Sequence, residues 1–190
     1  MKSFFPLACL LAGLTVLSGC ASMDIQPESV QISGPLKRPS AIYYRTFDPG
    51  TDWVGDFGGQ TKADFIKSQM DIFNDRLNVH LGEVAPTQAA PAVLPATGYL
   101  VTGVLTHVDA GSGAARFWAG AYGAGQREVT AQVLIYDLSV SREKTVASFK
   151  ITGGSKGEGG IEGAVSNLDE EWDRIAFKTR DFLLDHAPKP

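Results

Sequence analysis

Val129-Thr130-Ala131-Gln132-Val133-Leu134-Ile135-Tyr136 puts Val129, Ala131, Val133 and Ile135 on one parity and Thr130, Gln132, Leu134 and Tyr136 on the other. A period of two over eight residues is the pattern of a β-strand with two unlike faces, and it sets the reading of everything around it. On its C-terminal side, Val146–Thr152 forms a second such run in which Phe149 and Ile151, two apart, share a face. The link from Asp137 to Lys144 is short and polar, so the two runs are predicted to pair as a hairpin. On its N-terminal side, Tyr99–Val108 is apolar on both parities, with Leu100, Val104 and Val108 against Val101 and Leu105. That suits a central strand covered on at least one face.

Further out the period changes. Thr61 to about Leu81 carries Ile66, Met70, Phe73, Leu77 and Leu81 on one helical stripe, with Thr61 placed as the cap and Lys62, Asp71, Asp75 and Asn78 off the stripe. At the other end Trp172, Ile175, Ala176, Thr179, Phe182, Leu183 and His186 recur at helical spacing. Asn167 and Glu170 match a capping box there, and Asp169, Glu170 and Glu171 sit where the helix dipole favours negative charge. Ala41–Phe47 is β-branched and aromatic and ends at Asp48-Pro49-Gly50, which predicts one more strand and a turn. Gly82–Thr97 holds Pro86, Pro91 and Pro95 and reads as a surface loop. The expected order is β-α-β-β-β-α. This is an α+β two-layer sandwich, a four-stranded sheet with two helices packed on one face, occupying residues 40–190.

Ahead of it, Lys2 precedes an apolar run from Phe4 to Leu17, which is too short to span a bilayer stably and has the parts of an export signal. Leu17-Ser18-Gly19-Cys20 resembles the lipobox of bacterial lipoproteins. That resemblance implies cleavage before Cys20 and transfer of a diacylglycerol to its thiol. It further implies an acyl chain, such as palmitate, on the new amine, giving an anchor stronger than one chain provides. Ala21 and Ser22 follow instead of an aspartate, which by the same resemblance favours the periplasmic face of the outer membrane. Residues 1–19 are thus a signal peptide. Residues 20–39, polar and broken by Pro27, Pro35 and Pro39, are a flexible tether.

Charge and thiols bound the function. The chain has 17 basic and 21 acidic side chains, and losing Lys2 makes the balance one unit more negative than −4. There is no polybasic run, so nucleic acid is not an expected partner. Only Cys9 and Cys20 are present, which leaves the mature domain no disulfide. His80, His107 and His186 are isolated in sequence, so no metal and no cofactor are expected. Gly153-Gly154-Ser155-Lys156-Gly157 matches G-x-S-x-G and has His186 downstream, a remote sign of a serine hydrolase at Ser155. A nucleophile elbow needs a strand running straight into a helix within a large parallel sheet. Here Glu158-Gly159-Gly160 prolongs a loop, so the chain is not expected to be an enzyme.

Between the second and third predicted strands lies Asp109-Ala110-Gly111-Ser112-Gly113-Ala114-Ala115-Arg116-Phe117-Trp118-Ala119-Gly120-Ala121-Tyr122-Gly123-Ala124-Gly125. An acidic residue and glycine after a strand, an arginine, Gly120, Gly123 and Gly125, and then a valine-rich strand ending in aspartate together resemble the bacterial lipoproteins of domain-of-unknown-function family 4410. The likeness covers roughly residues 40–155, and that family carries no assigned activity. The topology also looks like periplasmic accessory domains in lipoproteins that activate envelope enzymes or assist secretion machines. Three readings of the run follow. It is a glycine-kinked connection covering a sheet edge, a docking patch of Arg116, Phe117, Trp118 and Tyr122 for an envelope protein, or an anion nest of backbone N–H groups beside Arg116 that takes a small anionic or glycan ligand. The expected function is a non-enzymatic accessory or partner-binding module held to the membrane by its lipid.

Overall fold

The computed structural model describes residues 23–112, 114–115, 125–154 and 168–187. Eight strands form one mixed sheet: β1 Met23–Ile25, β2 Gln31–Ile32, β3 Ile42–Tyr44, β4 Trp53–Val54, β5 Thr87–Ala89, β6 Tyr99–Asp109, β7 Glu128–Asp137 and β8 Ala147–Gly153. Among the described residues two long helices accompany them, α1 Lys62–Gly82 and α2 Asp169–His186. The order across the sheet is β1-β8-β7-β6-β3-β5, with β2 following β1 along the edge of β8 and β4 following β3 along the edge of β6.

This corrects the expected four-stranded sheet. The extra strands are two or three residues long, and none has a periodic signal of its own. Tertiary pairing makes them: the outer edges of β6 and β8 hold rows of N–H and C=O groups that need partners, and passing segments supply them. β1 and β2 arise within the stretch read as a tether and pair antiparallel with β8, Met23 facing Gly153 and Ile32 facing Ala147. β5 arises in the proline-broken stretch and runs parallel to β3. β3 and β4 are both parallel to β6, which makes the sheet mixed.

The central meander β6-β7-β8 is antiparallel throughout. On β7, Val129, Ala131, Val133 and Ile135 are all fully buried, and across from them lie Ala147, Phe149 and Ile151 of β8, equally buried. The mixed parity of β6 has two sources: Leu100, 3% exposed, and the half-buried Val104 lie on the opposite face of the sheet, and a bulge accounts for Val108. Its register against β7 shifts between Leu105 and His107, so one extra residue at this bulge moves the core side from Tyr99, Val101 and Leu105 to Val108. Gly103 lies on the same side, where the ring of Phe47 crosses it closely.

Both helices share one core with that face of the sheet. Helix α1 buries Phe65, Gln69, Met70, Phe73, Leu77 and Leu81, and the Thr61 hydroxyl accepts from the Asp64 N–H at its start. Helix α2 buries Glu171, Trp172, Ile175, Ala176, Thr179, Phe182 and Leu183. Its N-cap residue is Leu168, without a side-chain cap, and Asn167 of the expected capping box lies outside the described residues. Three acidic residues still occupy its first turn. Polar contacts tie the helices together at the surface, a hydrogen bond between His80 and Asp173 at 2.9 Å and an ion pair of Arg180 with Glu83 at 2.7 Å, while the Arg180 guanidinium lies 4.1 Å from the Phe177 ring centre. Burial disfavours charge on Arg180, but its hydrogen bonds and attraction to Asp181 and Glu83 win, so its pKa is raised.

Candidate functional site at the rim of the sheet

The glycine-rich connection springs from the rim where β6 ends and β7 begins, and the described residues show how its roots are held. Asp109 Oδ1 accepts from the Gly111 N–H at 2.7 Å, closing a tight turn in which Gly111 has φ +70°. The loop after β3 then wraps this root. Val54 accepts from the Ala110 N–H at 3.0 Å, and the Asp56 N–H donates to the Gly111 carbonyl at 2.8 Å. Gly55, at φ +100°, lies so close that a Cβ there would sit 2.7 Å from the Gly111 oxygen and 2.9 Å from Asp109 Oδ1. No side chain fits between these backbones. Ser112 Oγ accepts from the Ala115 N–H at 3.2 Å, and on the return side Gly125 has φ +69°.

The loop carrying Gly55 is itself braced. The Trp53 indole donates to the Pro49 carbonyl, and Lys62 Nζ donates to the carbonyls of Trp53 and Thr51 at 2.9 and 3.3 Å. Asp52 Oδ2 lies 2.7 Å from His107 Nδ1 beside the bulge. At the same rim, Gly154 follows β8 with its Cα facing the Arg127 carbonyl, leaving no room for a larger residue.

Of the expected contact residues, only Gly125 falls within the described residues. Arg116, Phe117, Trp118, Gly120, Tyr122 and Gly123 lie outside them, as do Cys20 and Ser155. His80, His107 and His186 are placed on different elements. Among the described residues no cluster of three His, Cys, Asp or Glu side chains is arranged to hold a metal ion, and no helix is long and apolar enough to cross a membrane. What the sequence did not reveal is the close approach of Gly55 to Gly111. The Gly55 and Gly58-Gly59 glycines are visible in the chain, but nothing in their spacing says which strand they meet.

Two of the concavities among the described residues lie elsewhere. One, of about 340 Å³, sits at the opposite rim between Ser33–Lys37 and the β7-β8 hairpin, with Tyr99 and Asp137 in its wall. The Tyr99 hydroxyl accepts from the Lys37 N–H at 2.9 Å, and burial raises the phenol pKa above its ordinary 10.0. The other, of about 580 Å³, is an open groove between β1 and the end of α2, lined by Asp24, Lys178, Asp181, Asp185 and His186.

The described residues define a small α+β domain whose mixed sheet presents a braced, loop-bearing rim. The model of the family described as Domain of unknown function (DUF4410) matches residues 44–160, more than half of the chain, and the chain belongs to that family. The match takes in β4 to β8 and the glycine-rich run; β1, β2 and α2 lie beyond it. Two crystal forms of the PelC dodecamer from Paraburkholderia phytofirmans are similar in structure, one of them a leucine-to-methionine variant. They are 14% and 13% identical, with 88% of this chain and 100% of theirs covered and a TM-score of 0.46 in each case. Comparison with curated proteins finds no match.

Proposed function

We propose that the protein is a lipoprotein of the outer membrane, periplasmic face, that acts without catalysis by binding another envelope protein. The observation that carries this reading is the run Leu17-Ser18-Gly19-Cys20, with an apolar stretch before it and small uncharged residues after it. The partner role is supported by the rim. The roots of the run that holds Arg116, Phe117, Trp118 and Tyr122 are firmly braced, which suits a contact loop, and these are residue types common at interface centres. Against the hydrolase alternative stands the setting of Ser155, since β8 is antiparallel to both β7 and β1 and a nucleophile elbow belongs to a parallel sheet.

The test has two stages. Intact mass of the membrane-extracted protein should show residues 1–19 removed and acyl groups on Cys20; a soluble, unmodified product retaining them refutes the address. Crosslinking in intact cells should then capture an envelope protein with the wild type and lose it with Trp118→Ala at unchanged thermal stability. A stability collapse would instead make Trp118 a packing residue.

One observation favours a second reading, a small anionic or glycan ligand. Gly111 and Gly125 both hold positive φ at the two roots of the run, a conformation that nests of N–H groups use, although the Gly111 N–H itself is given to Asp109 Oδ1. A thermal shift with anionic envelope glycans, lost in Arg116→Ala, would select it.

A further inference from the structure

Only Ala21 and Ser22 separate Cys20 from Met23, the first residue of β1. Three residue steps reach at most about 11 Å even when fully extended. The strand they lead to is part of the fold. Met23 is 3% exposed in the core, Asp24 pairs with Lys178 Nζ at 2.9 Å, and the Gln26 N–H donates to the Lys150 carbonyl. Ile25 and Val30 pack on the same core, so the segment from Met23 to Ile32 is laid along β8 and supplies no slack.

Topology then says which part of the domain this short link leads to. β1 is antiparallel to β8, so its first residue lies where β8 ends, Met23 against Gly153. Gly153 faces Val129, and Val129 faces Val108, which in turn faces Trp53. The beginnings of β1 and β7 and the ends of β6 and β8 therefore form one rim. The β7-β8 hairpin and the Ser33–Lys37 segment lie at the other end of strands about 30 Å long.

We infer that this rim faces the lipid surface, the domain standing on the bilayer by the end of its sheet with the hairpin rim pointing away. The inference rests on the lipid anchor proposed above and adds an orientation to it. The partner surface is the lipid headgroup layer itself. Exposed Asp52, Asp56 and Glu128 share the rim with Lys62 and Arg127, so its charges have no single sign, and the anchor and its short link impose the orientation on a zwitterionic bilayer as well. The chain leaves this rim after Asp109 and re-enters it at Glu128. A partner met through the intervening aromatic residues is then a protein at the same bilayer surface.

Once Cys9 is removed with the signal and Cys20 is acylated, the mature chain has no free thiol. A fluorophore therefore reports one site in Gln126→Cys, at the near rim, or in Glu143→Cys, in the far hairpin. Both positions are exposed. The acylated full chain, its modification verified by intact mass, is placed in phosphatidylcholine vesicles doped with headgroup-nitroxide lipid. Quenching at 126 should exceed that at 143 several-fold. An insert of about fifteen Gly/Ser residues between Ser22 and Met23, reaching roughly 20 Å, should level the two. Equal quenching in the acylated protein without the insert overturns the orientation alone. A mass without acyl groups overturns the anchor and the orientation with it.

Discussion

The indole Nε1 of Trp172 donates to Gln69 Oε1 at 2.9 Å across the contact between the two helices, with Trp172 fully enclosed and Gln69 5% exposed. Trp172 also packs against Phe73 and Trp53 at ring separations of 5.2 and 6.2 Å. One buried polar pair thus joins α1 to α2 over the sheet. Its value lies in what its loss would leave behind, because an indole N–H with no acceptor in a dry core carries its full desolvation cost. Gln69→Leu should lower stability by about 1–3 kcal/mol, read as a drop in the urea midpoint with the slope unchanged. An unchanged midpoint would mean that the indole has another acceptor.

Gly103 sets a second limit, this time on volume. A Cβ at this position would run into the Gln132 carbonyl and the edge of the Phe47 ring, whose Cδ2 would be 2.7 Å away. Phe47 cannot retreat easily, since its other side stands edge-on to Phe73 at 5.0 Å. Gly103→Ala is expected to cost about 1–3 kcal/mol through displaced packing, although alanine suits a strand better than glycine does. Thermal unfolding of Gly103→Ala beside a strand control such as Thr102→Ala measures the difference. A variant as stable as the control would show that the ring moves freely.

How far the sequence revealed this fold depended on whether an element announces itself locally. The alternation of β7, the stripe through Phe73 and Leu77, and the stripe from Trp172 to Leu183 are each decided by residues within one segment, and each is found where its period places it. The double parity of β6 is a real signal whose causes are invisible in one dimension: Leu100 is covered on the second face, and a bulge after Leu105 brings Val108 to the core side. β1, β2, β4 and β5 exist only because another strand's edge needs partners, and two or three residues hold no period to read. The site divides in the same way. Gly111 and Gly125 were legible as turn formers, whereas the Gly55 contact depends on a loop more than fifty positions away in sequence.

Met23 gives the edge strand a measurable worth. It is the first described residue, 3% exposed, and it closes the row that begins on β6. Met23→Ala should destabilise the mature domain by about 2–5 kcal/mol, the range for truncating a buried methionine where surroundings relax in part. Met23→Leu, close in volume, should restore most of it. Removing residues through Ile32 goes further, since it bares the edge of β8 and should produce self-association visible in sedimentation. A monomeric, fully stable truncation would return the segment to the status of a tether.

Alkaline pH probes the far rim. Tyr99 is 3% exposed, and burial raises its pKa above 10.0; the hydrogen bond from the Lys37 N–H works the other way, and the Asp137 carboxylate adds to the rise. Tyr44 is raised as well, by burial and by Asp75. Below pH 10 both folded and unfolded chains keep these phenol protons and stability is unaffected. Above it the unfolded chain releases them first, the folded chain binds more protons, and stability falls as pH rises toward the folded-state value. Tyr99→Phe should be about 1 kcal/mol less stable at neutral pH, because the Lys37 N–H loses its acceptor, yet should lose stability less steeply above pH 10. Tyr44 keeps its share of the alkaline loss in that variant. Urea midpoints for the two proteins, followed upward from pH 9, should therefore converge; parallel curves would show that the Tyr99 hydroxyl ionises as freely in the fold as in the open chain.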